Sequence, residues 1–175
     1  MLSPKAIDDM KRKLKGMLSI LKEPITKEIN EKEYWLCVVS HGQHIVLIGH
    51  TLNEEFMSVV FRVDFDKEAL ERLSTLQSNK TSWLKFMWGL KSIISSPLTA
   101  FSTNVDSDKN LKGFSVLTKV FPFHDGFTLK ELNGSIQAVV SVGVAGVDYV
   151  GGNLGALEIQ QKLSDIPPPP DGLYG

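Results

Sequence analysis

Ile7, Met10, Leu14, Met17, Leu18 and Leu21 recur at steps of three and four residues, the spacing that gathers apolar side chains on one stripe of a helix. Ser3-Pro4 supplies the start: serine can accept from a free backbone N–H, and proline's missing donor costs nothing in the first turn. Pro24 stops the helix near Lys22. The pattern then changes period. Tyr34 to Val39, Ile45 to Ile48 and Phe56 to Val63 are runs of aromatic and β-branched residues, separated by the polar links Ser40 to Gln43 and Thr51 to Glu55. Links of this length join antiparallel neighbours, so the three runs predict a meander.

In the first run both alternating sets are apolar: Trp35, Cys37 and Val39 on one side, Tyr34, Leu36 and Val38 on the other. In the third, Met57, Val59, Phe61, Val63 and Phe65 line one face while Ser58, Arg62 and Asp64 interrupt the other. A sheet apolar on both faces needs a second cover, from this chain or another. Tyr34, Leu36, Val38, Val46 and Ile48 are accordingly the expected partner-binding or dimer face.

Asp66 caps a second helix with apolar positions Ala69, Leu70, Leu73 and Leu76, and Gln77 to Lys80 breaks it. A further helix from Thr81 or Ser82 places Trp83, Phe86, Met87, Leu90, Ile93 and Ile94 on one stripe and ends at Pro97. Two tryptophans and a methionine also suit a peptide-binding surface or a membrane anchor, although a core stripe is the commoner use. Thr99 to Val105 and Gly113 to Phe121 predict a hairpin. Thr128 and Glu131 form a capping box for a last helix whose buried stripe is Leu132, Ile136, Val139, Val140, Gly143 and Val147. Its many small residues cost helix propensity and imply close approach to another backbone, of the sheet or of a symmetry mate. Ala156 to Leu163 predicts a short helix, and Pro167 to Pro170 an extended tail.

The expected fold is α+β: helix, three-stranded antiparallel meander, helices, β-hairpin and helix, with one mostly antiparallel sheet and helices packed on it. At 175 residues the chain suits one domain, placed at 1–166 with a proline-rich tail at 167–175. A net charge of -1 gives no electrostatic reason to expect nucleic acid. Cys37 lies within an apolar run, which suits a buried structural thiol. Charged residues from Lys5 to Lys13 leave no room for a signal peptide, so a cytoplasmic location is expected. Ile136 to Val147 is shorter than the roughly 20 apolar residues of a bilayer span, so no integral membrane segment is expected.

Chemistry is sparse. His41 and His44 flank a turn and His50 ends a strand, but no local third ligand completes a metal site. His124-Asp125 is an adjacent acid/base pair in a turn, a poor geometry for mutual orientation. Asp106, Asp108 and Asn110 match the first ligands of a calcium loop, but Leu111 stands where its glycine belongs and Leu117 where its glutamate belongs. No nucleophile motif, dinucleotide fingerprint or phosphate loop is spelled. The expectation is no catalytic residue, no metal and no cofactor.

The order of elements, carried by the capped first helix, the runs Trp35 to Val39, Ile45 to Ile48 and Phe56 to Val63, and the helix from Thr128, resembles the type III secretion chaperone-like fold. That fold also occurs in uncharacterised bacterial and archaeal proteins. The resemblance implies dimers and apolar grooves that receive extended client segments. The expected function is therefore a non-enzymatic, chaperone-like protein- or peptide-binding module able to form a homodimer. The alternative is a small-ligand-binding protein or enzyme with a pocket between the sheet and the Trp83 helix.

Overall fold

The structure is a computed structural model, and it describes residues 3–51 and 54–155. The expected helix at 156–163 and the proline tail lie outside the described residues. The chain is α+β, with one six-stranded antiparallel sheet and four helices among those residues. The elements are α1 (Pro4–Leu21), β1 (Ile25–Asn30), β2 (Tyr34–His41), β3 (His44–Thr51), β4 (Met57–Asp64), α2 (Lys67–Gln77), α3 (Lys80–Ile94), β5 (Ala100–Val105), β6 (Leu111–Val120) and α4 (Leu129–Leu154). The strand order is β1-β2-β3-β4-β6-β5.

The helix starts are set by the side chains the sequence offers. Ser3, Asp66, Asn79 and Thr128 each accept from the backbone N–H three residues on, which satisfies a donor the first turn leaves free. α1 ends on Lys22 in the left-handed conformation, with its N–H turned back to Leu18 and Ser19, immediately before Pro24. At the end of α4, the Arg72 guanidinium donates to the Leu154 carbonyl and pairs with Glu68 on its own helix.

Beyond the expected strands, Ile25–Asn30 forms an edge strand beside β2. Only Ile25 and Ile29 of its six residues are apolar, because an edge strand covered on one side needs little hydrophobic surface. It is fastened by its charges instead. Lys15 of α1 reaches Glu28 at 2.8 Å, and the Trp35 indole donates to the same carboxylate at 2.7 Å. These two bonds, the lysine's first, hold the Glu28 carboxyl below its usual range.

Register decides the faces. Val39 pairs with Val46, Cys37 with Ile48, Val63 with Phe114 and Phe61 with Val116, and all eight side chains join one core with the buried stripes of all four helices. α4 lies across β3, β4 and β6, and it comes close enough because its glycines leave room for rings. A Cβ at Gly143 would strike the Phe61 ring, and one at Gly146 would lie 2.7 Å from both Ile94 and Phe114. The small-residue stripe thus receives aromatic side chains of the sheet rather than another backbone. α4 runs for 26 residues, longer than the apolar run in its sequence suggests. Among the described residues it is the helix long and apolar enough, by length and composition alone, to cross a membrane.

Candidate functional site

The five residues expected to form one partner face are divided between two. Val46 and Ile48 point into the core and are fully buried, because they stand opposite Val39 and Cys37 in the β2–β3 ladder. Tyr34, Leu36 and Val38 alternate to the other face, beside Leu47, Val60 and Leu117. On that far face Leu36 is 3% exposed and Val38 0%, while Tyr34 and Leu47 are half-buried. Its polar residues are engaged too: Arg62 forms a two-pronged pair with Asp64, and the Lys119 ammonium lies 3.8 Å from the centre of the Phe56 ring.

The histidines are similarly committed. His41 and His44 do face each other across the hairpin. However, His41 Nδ1 lies 2.8 Å from Glu23 Oε1 and its Nε2 lies 3.2 Å from the Gln137 amide nitrogen. Nδ1 therefore donates to the carboxylate while Nε2 accepts from the amide, which ties the end of α1, the β2–β3 turn and α4 together. His44 packs its ring on Phe61. His50 is buried, with Nε2 donating to the Glu54 carbonyl at 2.9 Å, and burial pushes its pKa down. His124 is exposed and stacked on Phe121. Among the described residues no three His, Cys, Asp or Glu side chains assemble as a metal site.

Asp106 spends its oxygens on its own turn, accepting from the backbone N–H groups of Asp108 and Asn110 and from Lys112. Those donors, the Asn110 N–H foremost, hold its carboxyl at about 2. Burial pushes the Cys37 thiol up to about 12, so the thiolate that reacts is scarce at neutral pH. Aromatic rings meet along the inner side of the Trp83 helix. Trp83 stacks on Phe86, Phe86 meets Tyr149, and the Tyr149 hydroxyl donates to the Phe86 carbonyl past Gly89.

The sequence raised the tryptophans of α3 as a peptide-binding surface or a membrane anchor, and the structure turns Trp88 to the outer side of that helix. Of the seven large apolar residues exposed among the described residues, five fall between 84 and 105: Leu84, Trp88, Ile93, Leu98 and Val105. Trp88 is 78% exposed and Leu98 73%. Leu84 and Trp88 are one turn apart on the helix side opposite Phe86, Leu90 and Ile94. α3 also carries Lys80, Lys85 and Lys91 and no acidic residue. The signal was present in the sequence as a surplus, since α3 has more large apolar residues than one buried stripe can use.

No family model matches the chain, and no curated protein does. Among solved structures it is similar to the crystal structure of an uncharacterized protein from Methanothermobacter thermautotrophicus, with a TM-score of 0.72 at 15% identity over 83% of this chain and 99% of that one. At that identity the likeness is one of fold.

Proposed function

We propose that the protein is a non-enzymatic, chaperone-like module that binds a segment of another protein, and that it does so through the outer side of α3 and the turn leading to β5. One observation carries this reading: Leu84, Trp88 and Leu98 are exposed within a short stretch of chain, whereas Phe86, Leu90 and Ile94 of the same helix are buried. An exposed tryptophan flanked by long cationic side chains is the composition of a binding surface more than of a passive one. The three lysines and absent carboxylates of α3 favour a partner segment that is apolar and acidic. The mostly buried far face of the sheet and the engaged histidines make the outer side of α3 the better-supported surface. The resemblance in element order to secretion chaperones agrees with such a role, with the docking surface moved from sheet to helix.

The test is titration of labelled, reduced and carboxymethylated α-lactalbumin, a permanently unfolded acidic chain, followed by fluorescence anisotropy of the label. Saturable binding is expected. The variant Trp88→Ser should weaken it ~30-fold, the equivalent of about 2 kcal/mol for loss of a central aromatic contact, with unchanged circular dichroism. Absence of binding by the wild type, or equal binding by the variant, would sink the reading.

A further inference from the structure

The two edges of the sheet are built differently. β1 carries the devices that keep an edge from pairing: Pro24 just before it, Lys27 and Glu28 within it, and a register shift between Ile25 and Lys27. α1 also reaches down to it through Lys15–Glu28 and Lys11–Asn30. β5, Ala-Phe-Ser-Thr-Asn-Val, has no charge and no proline. Its ladder with β6 is regular from Ala100 to Asn104, the shift falling only before Val105. Among the described residues no backbone bond reaches its outer side, and exposed Leu98 and Val105 bracket it.

From this contrast we propose that β5 is a dimer seam, pairing antiparallel with β5 of a second copy to make one continuous sheet of two protomers. This goes beyond the proposed client binding and does not depend on it. A second copy is the occupant the strand's chemistry selects. Around a two-fold axis each residue approaches its own counterpart, so any charge near the axis would repel itself, and β5 is the edge that has none. The pleat narrows the register. For both cores to lie on the same side of the joined sheet, paired residues must share a face, so their numbers must sum to an even value. Centring the pair on Ser102 joins Phe101 to Thr103, Ala100 to Asn104 and Thr99 to Val105, and uses the whole regular stretch. Moving the centre to Thr103 would instead set Ala100 against Asp106 and give up pairing at the Thr99 end. In the Ser102 register Val105 is covered by Thr99, and Leu98 falls opposite Asp106 at the outer ends of the seam, beyond the paired stretch. Because every helix packs on the core face, the even sum also puts the α3 helices of both copies on the same side of the joined sheet.

The full-length wild type should sediment as a concentration-dependent dimer at micromolar concentrations. Ser102→Lys and Ser102→Glu should each self-associate on the order of a hundredfold more weakly, because like charges meet at the axis. An equimolar mixture of the two should recover a heterodimer. Ser102→Cys, nearly isosteric with the native residue, should form an intermolecular disulfide on mild oxidation, while buried Cys37 in the wild type should not. A wild type that stays monomeric overturns the proposal. So does a Lys variant that dimerises as tightly as the wild type, or a Ser102→Cys dimer in which the introduced thiols remain unlinked. If the charge variants fold poorly, the disulfide readout decides between seam and no seam.

Discussion

His50 is the buried ionisable ring of the core face, 1% exposed, with its edge toward Phe123 and one nitrogen bonded to the Glu54 carbonyl. Burial lowers its pKa from the ordinary 6.5, so the folded protein favours the neutral ring and the unfolded chain binds the proton more readily. The stability this contributes is complete above pH 6.5 and is lost as pH falls from there through the lowered folded-state value. In urea titrations, the wild type should therefore weaken across that interval. His50→Phe should be flatter there, at a cost of about 1 kcal/mol at roughly pH 8 from the lost bond to Glu54. A variant with the wild-type pH dependence would remove His50 as its source. Little of this was legible in the sequence, where His50 reads as a strand-end polar residue. Its burial follows from standing opposite Trp35 in the ladder, and a register is set by partners distant in sequence.

At the scale of elements, α4 offers a matched comparison. Gly134 has open space where a Cβ would go, whereas Gly143 has the Phe61 ring. Gly134→Ala should raise stability by roughly 0.5–1 kcal/mol through helix propensity and a less free unfolded chain. Gly143→Ala should lower it by roughly 1–3 kcal/mol, because a fully packed ring has nowhere to move. Denaturant midpoints check both, and loss of stability in both would mean that α4 packs differently. The same element shows what patterning can and cannot reveal. The capping box at Thr128, the stripe from Leu132 to Val140 and the need for close approach were readable from local sequence. The identity of the approaching groups was not, since it depends on β4 and β6. β1 escaped notice because its pairing energy comes from backbone and from Glu28's bonds to Lys15 and Trp35, which leave no periodic apolar signature. Ile93, assigned to the buried stripe of α3, lies at its margin and is partly exposed. The outward Trp88 was obscured for a related reason: a helix apolar on several sides has no unique stripe to read.

For the whole molecule, the arrangement of layers determines how it comes apart. Every helix contributes its buried stripe to one cluster on one face of the sheet, and α4 touches three strands and the other three helices. There is no boundary along which helices could melt while the described sheet keeps its core, because removing α4 strips Phe61 and Phe114 at once. A chain built this way should unfold as one cooperative unit. Ile136, fully buried at the centre of the α4 contact, provides the probe. Ile136→Ala should cost roughly 2–5 kcal/mol through lost burial and the cavity left behind. More tellingly, the far-ultraviolet signal of the helices and the near-ultraviolet signal of Trp35 and Trp83 should shift to a lower denaturant midpoint together and by the same amount. If the helical signal instead fell first and the aromatic signal kept the wild-type midpoint, the sheet would be holding itself together without α4. The single-core account of the fold would then have to be abandoned.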